Sequence, residues 1–213
     1  AQGGTDPESV EEVQLYAPQA FRTQLRAVTT EDYASAAEKH PEVQKAVATL
    51  RWTGSWHTFF VTVDRKGGKT VDDSFETDLR LFLDQFRLAG HDLEIEPPVL
   101  VPLHIVMSVC VKPGYFRYNV KRALVDTFSS VDLPDGRRGF FHPDNLTFGQ
   151  PVYLSQVIST AMQITGVNWV ALTGKSNKFQ RWGKAPNHEV EVGLIRMDRL
   201  EIARLDNNPS APE

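Results

Sequence analysis

Two periods of hydrophobic and polar residues alternate along this chain, and the changes between them mark its elements. Around Thr29–Ala37, Tyr33, Ala36 and Ala37 share one face of a short helix that Thr29-Thr30 caps, with Glu31 and Asp32 favourable at its positive end. His40-Pro41 stops it, because the residue before a proline is pushed out of the helical region. Val43 to Trp52 alternates loosely, and His57 to Asp64 is rich in aromatic and β-branched residues. Thr53-Gly54-Ser55 between them predicts a hairpin. Arg65 to Lys69 reads as an exposed loop. A helix is expected from near Asp73, with Glu76 three residues on as in a capping box. Phe75, Leu79, Phe82 and Phe86 build its single apolar stripe, and Gly90 is expected to end it in a left-handed conformation.

Leu93-Glu-Ile-Glu opens an extended stretch that runs into Pro97-Pro98. From Leu103 the alternation is clean: Leu103, Ile105, Met107, Val109 and Val111 face one way, His104, Val106, Ser108, Cys110 and Lys112 the other. This predicts one strand with a core face and a mixed face. Pro113-Gly114 turns the chain into a helix with Phe116, Val120, Ala123, Leu124 and Phe128 on its buried side. Ser129 to Gln150 is irregular and holds an Asp135-Gly136 turn and the run Gly139-Phe-Phe-His-Pro-Asp144. Leu154, Val157, Ile158 and Ala161 mark a further helix, and Gly166–Thr173, Glu189–Met197 and Leu200–Leu205 read as strands. The grouping predicts an α+β chain of two small two-layer α/β sandwich domains, with mixed or antiparallel sheets and helices on one face. The expected boundaries are a linker or extended arm over 1–28, a first domain over 29–98, a second over 99–206 and a polar tail over 207–213.

Composition narrows the class further. With 213 residues, 41% hydrophobic and 23% charged, the chain can bury a core without disulfide or metal staples. The single Cys110 excludes an internal disulfide framework and a zinc site built from several thiolates. A net charge of −4 argues against a nucleic-acid partner held mainly through phosphates. The longest apolar stretch, Val99–Val111, is shorter than the ~20 residues a bilayer span needs, and the amino end lacks the pattern of a signal peptide. It also lacks an initiator Met, so a fragment of a longer protein is expected.

The search for chemistry gives three weak candidates. His142 and Asp144, with Asp132 and Asp135 upstream, could hold a divalent ion and make a metal-dependent hydrolase. However, His-Pro-Asp-Asn is turn chemistry, and no His-x-x-x-His pair supports the metal. Cys110 with His104 as its base fails on distance, since six residues along one strand separate them by ~20 Å. Lys175, Lys178, Arg181 and Lys184, interleaved with Phe179 and Trp182, would suit a single-stranded nucleic-acid binder. The neighbouring Gly and Ser residues and the acidic total favour a solvated hairpin loop instead. Asp72-Asp73 reads as helix capping. Neither a catalytic residue nor a cofactor or metal is implied.

Several stretches resemble the baseplate J-like wedge proteins of contractile-tailed phages and related contractile injection systems. They are Tyr16-Ala-Pro-Gln-Ala-Phe-Arg-Thr, Arg26-Ala-Val-Thr-Thr-Glu-Asp-Tyr33, the Ala46–Gly54 strand, Gly90-His-Asp-Leu and Pro97-Pro-Val-Leu-Val-Pro-Leu. The resemblance is strongest over Gly136 to Ser155, with its Gly-Phe-Phe-His-Pro-Asp segment, and closes with Glu201-Ile-Ala-Arg-Leu-Asp-Asn-Asn-Pro. It implies a non-enzymatic component of the wedge ring around the hub and spike, assembled in the bacterial cytoplasm. Implied partners are a second copy of itself, a smaller wedge protein and neighbouring wedges, with no nucleic acid. The chain would be the carboxy-terminal arm, and on its own monomeric or weakly self-associating.

Such a ring needs aromatic and cationic anchors at its contacts. Trp56, Phe140, Phe141 and Trp182, with Lys178 and Arg181, are the expected partner-contact residues, while Trp169 is expected to lie buried in its strand.

Overall fold

The computed structural model describes residues 26–133, 136–171, 178–185 and 187–205. Nearly all of the expected arm, the polar tail, Asp135 and Lys175 lie outside them.

Helix α1 (Thr30–Ala37) opens on a complete capping box: the Thr29 hydroxyl accepts the Asp32 N–H, and the Asp32 carboxylate accepts the Thr29 N–H at 2.9 Å. Strands β1 (Val43–Trp52) and β2 (His57–Arg65) form the expected antiparallel hairpin, closing with Trp52 opposite His57. Strand β3 (Asp92–Glu96) adds to the other side of β2 in parallel. A parallel neighbour requires a crossover, which α2 (Asp73–Asp84) supplies. Both helices bury their stripes on one face of this sheet, where Tyr33, Leu79 and Leu83 meet Val61, Val63 and Leu93.

Helix α2 keeps the capping expected of Asp72-Asp73 but differs from expectation in its capping box and its C-terminal end. Asp72 is its N-cap, accepting the Phe75 N–H at 2.9 Å, and Glu76 pairs with Arg80 instead of closing a box. The helix ends at Asp84, short of Gly90, because the chain turns to meet the amino end. The Ala27 N–H donates to the Phe86 carbonyl at 2.7 Å, and Ala27 bridges to Arg87. Gly90, with φ 87°, serves the following turn into β3.

The Arg65–Lys69 stretch is not a free loop. Arg65 is buried over the Phe75 ring and paired with Glu42 and Asp72, and Lys66–Gly68 forms a 3-10 turn. The sheet's second face is also partly covered. Thr62 and Asp64 are buried there, and Gln44 Nε2 donates to the carbonyls of Asp144 (3.0 Å) and Leu146 (3.3 Å).

In the second half, β4 (Val99–Val106) lies between two strands. On one side is β8 (Lys178–Arg181), antiparallel, and on the other β10 (Glu201–Arg204), parallel. The single strand expected from Leu103 is broken at Met107. Its continuation, β5 (Ser108–Val111), leaves for a separate pairing with β7 (Val167–Ala171). Helix α3 (Arg117–Thr127) follows β5, with Phe116 at its N-cap 77% exposed and not buried. Strand β6 (Val152–Tyr153) runs straight into α4 (Leu154–Met162). The strand expected over Glu189–Met197 is instead a single helical turn, α5 (Glu189–Val192), and a two-residue strand, β9 (Leu194–Ile195), paired with β6. Gly193, left-handed at φ 77°, closes that turn by donating its N–H to the Glu189 carbonyl. The core here gathers Leu103, Phe128, Phe141, Val157, Phe179 and Ile195. The chain is thus α+β, with one core cluster running from Ala27 to Ile95 and a second from Val101 to Ala203.

Candidate partner-contact surface

The Gly139–Asp144 run is a mechanical joint. Gly139 lies against the Ser129 backbone so closely that a Cβ would sit 2.0 Å from the Ser129 carbonyl oxygen. The Phe140 N–H donates to Thr127 at 2.7 Å, and the Asn145 amide donates to the Gly139 carbonyl at 2.8 Å. His142 is buried. Its Nδ1 accepts the Asp144 N–H at 3.2 Å, which leaves the ring proton on Nε2, facing Asp132 Oδ1 at 3.4 Å. Asp144 reaches across to the first half. Its Oδ1 accepts the Gly67 N–H at 2.6 Å while its Oδ2 pairs with Arg138 at 3.1 Å. Gly67 has φ 71°, a conformation suited to glycine, and a Cβ on Gly68 would lie 2.7 Å from Pro143. Arg199, from the second half, donates to the Ala48 carbonyl of β1 at 3.3 Å.

Asp64 lies at this joint. Burial pushes its carboxyl up to about 7, the nearby Asp144 charge adding to the effect, and its Oδ2 has no hydrogen-bond partner among the described residues. Of the groups that sequence offered as metal ligands, His142 and Asp144 thus hold a turn and a junction, and Asp132 faces His142 and Arg138. Among the described residues no set of three or more His, Cys, Asp or Glu side chains gathers to hold a metal ion. Cys110 is half-buried on β5, and His104 on β4 packs edge-on against Trp182 with ring centroids 4.5 Å apart. Burial, with Lys178 nearby, lowers the His104 pKa.

The expected contact residues divide into two groups. Trp56 is exposed at the hairpin tip beside the exposed Trp52, its indole donating to Asp92 at 3.3 Å. Trp182 is exposed along one side after β8, its N–H bonded to the Pro102 carbonyl at 2.8 Å. Lys178 sits half-buried opposite Val106. Phe140 is half-buried, packed on Phe128 and Phe141. Two residues are engaged within the fold. Phe141 is only 3% exposed inside the second core. Arg181 forks onto Glu201 at 2.9 and 2.6 Å, which holds the Glu201 carboxyl below its usual range. The segment carrying Lys178 and Arg181 is strand β8, with Phe179 buried, where sequence suggested a solvated loop. Trp169 reverses its expectation and stands 51% exposed on β7.

A further open surface lies beside α3, a helix for which sequence predicted one buried side. Where β4 breaks from β5, α3 stands off the sheet and leaves a groove of about 1100 Å³. Val106, Met107 and Val109 line it from the strands, Leu124 and Val125 from α3, with Trp169 and Trp182 completing the lining. Val120 is the one fully buried residue of α3, while Tyr118 is 73% exposed. The signal was present in the sequence: Tyr118, Lys121 and Val125, spaced three and four apart, form a second stripe beside Val120 and Leu124. A helix apolar on more than one face needs more than one partner. Among the described residues, the charged side chains lining the groove are Arg117 and Lys121.

Three comparisons bear on identity. Residues 25–96, about a third of the chain, match the family described as the baseplate J-like central domain. Among solved structures, a chain of the cryo-EM structure of the anti-feeding prophage (AFP) baseplate, 6-fold symmetrised, has a similar fold. Its TM-score is 0.51 at 15% sequence identity, over 95% of this chain and 43% of that one. The chain thus spans less than half the length of that baseplate chain. No curated protein matches the chain.

Proposed function

We infer that this chain, a member of the baseplate J-like family through the central domain at residues 25–96, is a structural, non-catalytic component of the baseplate of a contractile tail or phage-tail-like particle. The observation that carries this reading is the family match over the first half, joined to a fold likeness that runs through the second. The finer role is the baseplate wedge: subunits of this kind assemble in the bacterial cytoplasm into a ring around the hub and spike. The partners are a second copy, a smaller wedge protein and the neighbouring wedges.

The two core clusters support a division into domains 29–98 and 99–206, linked at Pro97-Pro98. Rigid units joined at a small polar junction suit a ring that changes diameter by rotation of its subunits. Trp56, Trp182, Lys178 and the exposed edge of Phe140 remain the contact residues of this reading.

The test is made in the producing bacterium. Deleting the gene for the full-length protein should leave sheath and tube unassembled into contractile particles, and supplying the gene in trans should restore them. Normal, contractile particles lacking this protein would refute the role.

A further inference from the structure

We propose that the groove between α3 and the β4–β5 break seats an apolar segment carrying carboxylates, contributed by another baseplate subunit. The proposal rests on the baseplate reading above and names the surface and the chemistry of one contact.

The first argument is the apolar lining. Val106, Tyr118, Val125, Trp169 and Trp182 are all exposed large side chains, and all of them line one groove of about 1100 Å³. Contiguous apolar surface of this kind marks an interaction site, whereas scattered single residues would need no explanation. The aromatic members are of the types that anchor protein contacts.

The second argument is charge. Arg117 and Lys121 stand one helical turn apart on the α3 side of the groove, and neither forms an ion pair with a carboxylate of the described residues. A purely aliphatic occupant would strip water from both cations without compensation, at a cost that opposes docking. A segment that brings carboxylates to this side satisfies both features together. The overall charge of −4 makes this basic pair a local departure from the chain's average and gives it selective value.

The test places the photo-crosslinking residue benzoylphenylalanine at position 118 of the full-length protein in assembled particles, with linked peptides read by mass spectrometry. The expected product joins residue 118 to a peptide of a different baseplate protein in which apolar residues are flanked by at least two Asp or Glu. The double variant Arg117→Glu/Lys121→Glu should lower its yield at least tenfold. Arg122→Glu, on an exposed residue of the same helix outside the groove, should leave the yield within twofold.

A linked peptide without carboxylates, or a link to nucleic acid, overturns the proposal. So does a link to this chain itself, whose Asp6–Tyr16 stretch combines Glu8, Glu11 and Glu12 with Val10, Val13 and Leu15. An unchanged yield in the double variant, with its circular dichroism intact, also overturns it. If the protein is present in particles but residue 118 links to nothing, this inference falls while the baseplate reading stands. If the protein is absent from assembled particles, both fall.

Discussion

Replacing Asp64 by Asn tests the energetics of the joint. The carboxyl is buried on the second face of the first sheet, Oδ2 lacks a partner among the described residues, and Asp144 approaches from the other half. Its pKa rises from 3.8 to about 7 on folding. The sign follows from proton linkage. Between these two values the folded chain holds a proton that the unfolded chain has released, so stability falls as pH rises through the window and levels off above about 7. At 1.36 kcal/mol per pKa unit the whole loss is on the order of 4 kcal/mol, an upper figure because water reaching the carboxylate would relieve part of it. Asn keeps the shape and removes the titration. Urea unfolding of both proteins at pH 4, 5, 6, 7 and 8 isolates the difference, since every other carboxylate is common to the two. Asp64→Asn should match the parent at pH 4 and exceed it by several kcal/mol at pH 8. A difference that does not change with pH would show that Asp64 ionises as readily in the folded chain as in the unfolded one, and would refute the burial argument.

Other substitutions probe separate claims. Phe141→Ala should cost ~3–5 kcal/mol by opening a cavity in the second core, read as a lowered midpoint in urea, whereas Trp56→Ala should shift it by less than about 1 kcal/mol. Gly139→Ala should destabilise by at least ~3 kcal/mol, because its methyl would meet the Ser129 backbone, which has no flexible end to move aside. Arg181→Ala should cost ~3 kcal/mol by leaving Glu201 unpaired where both side chains are largely buried, and the same loss should appear in the isolated protein and in particles. If Arg181→Ala instead leaves stability unchanged and weakens only assembly, its side chain belongs to a partner.

The first half was largely legible because its elements are fixed locally. Thr29 and Asp32 cap each other, Thr53–Ser55 closes a hairpin, and Phe75 and Leu79, with Phe82 and Phe86 partly buried beside them, repeat at helical spacing against one sheet face. The errors fell where distant residues decide. Gly90 met every local criterion of a helix cap, yet Ala27 draws the chain away at Phe86. The alternation from Leu103 to Val111 is real, but nothing in a period of two says that the strand will change partners at Met107. Arg65 and Gly67 read as solvent-facing because their partners, Glu42 and Asp144, lie 23 and 77 residues away. Phe140 and Phe141 are adjacent and alike in composition, and only the packing of the second core distinguishes the half-exposed ring from the buried one. The groove is hard to read from sequence for a related reason: Val120 and Leu124 already satisfy one buried face of α3, and nothing local says that Tyr118 and Val125 line a second one.

The pairing of β4 with β10 has a consequence for synthesis. Every strand of the first sheet has emerged by Glu96, so that half can close while the ribosome is still translating. Strand β4 follows at once but finds its antiparallel neighbour only at Lys178 and its parallel one only at Glu201. One edge of β4 stays unpaired until Lys178, 72 residues after Val106, and the other until Glu201, and such long-range closure is slow. Chains truncated before Glu201 should therefore keep a folded front half and a sticky, protease-sensitive rear, because β4 would then lack its parallel neighbour.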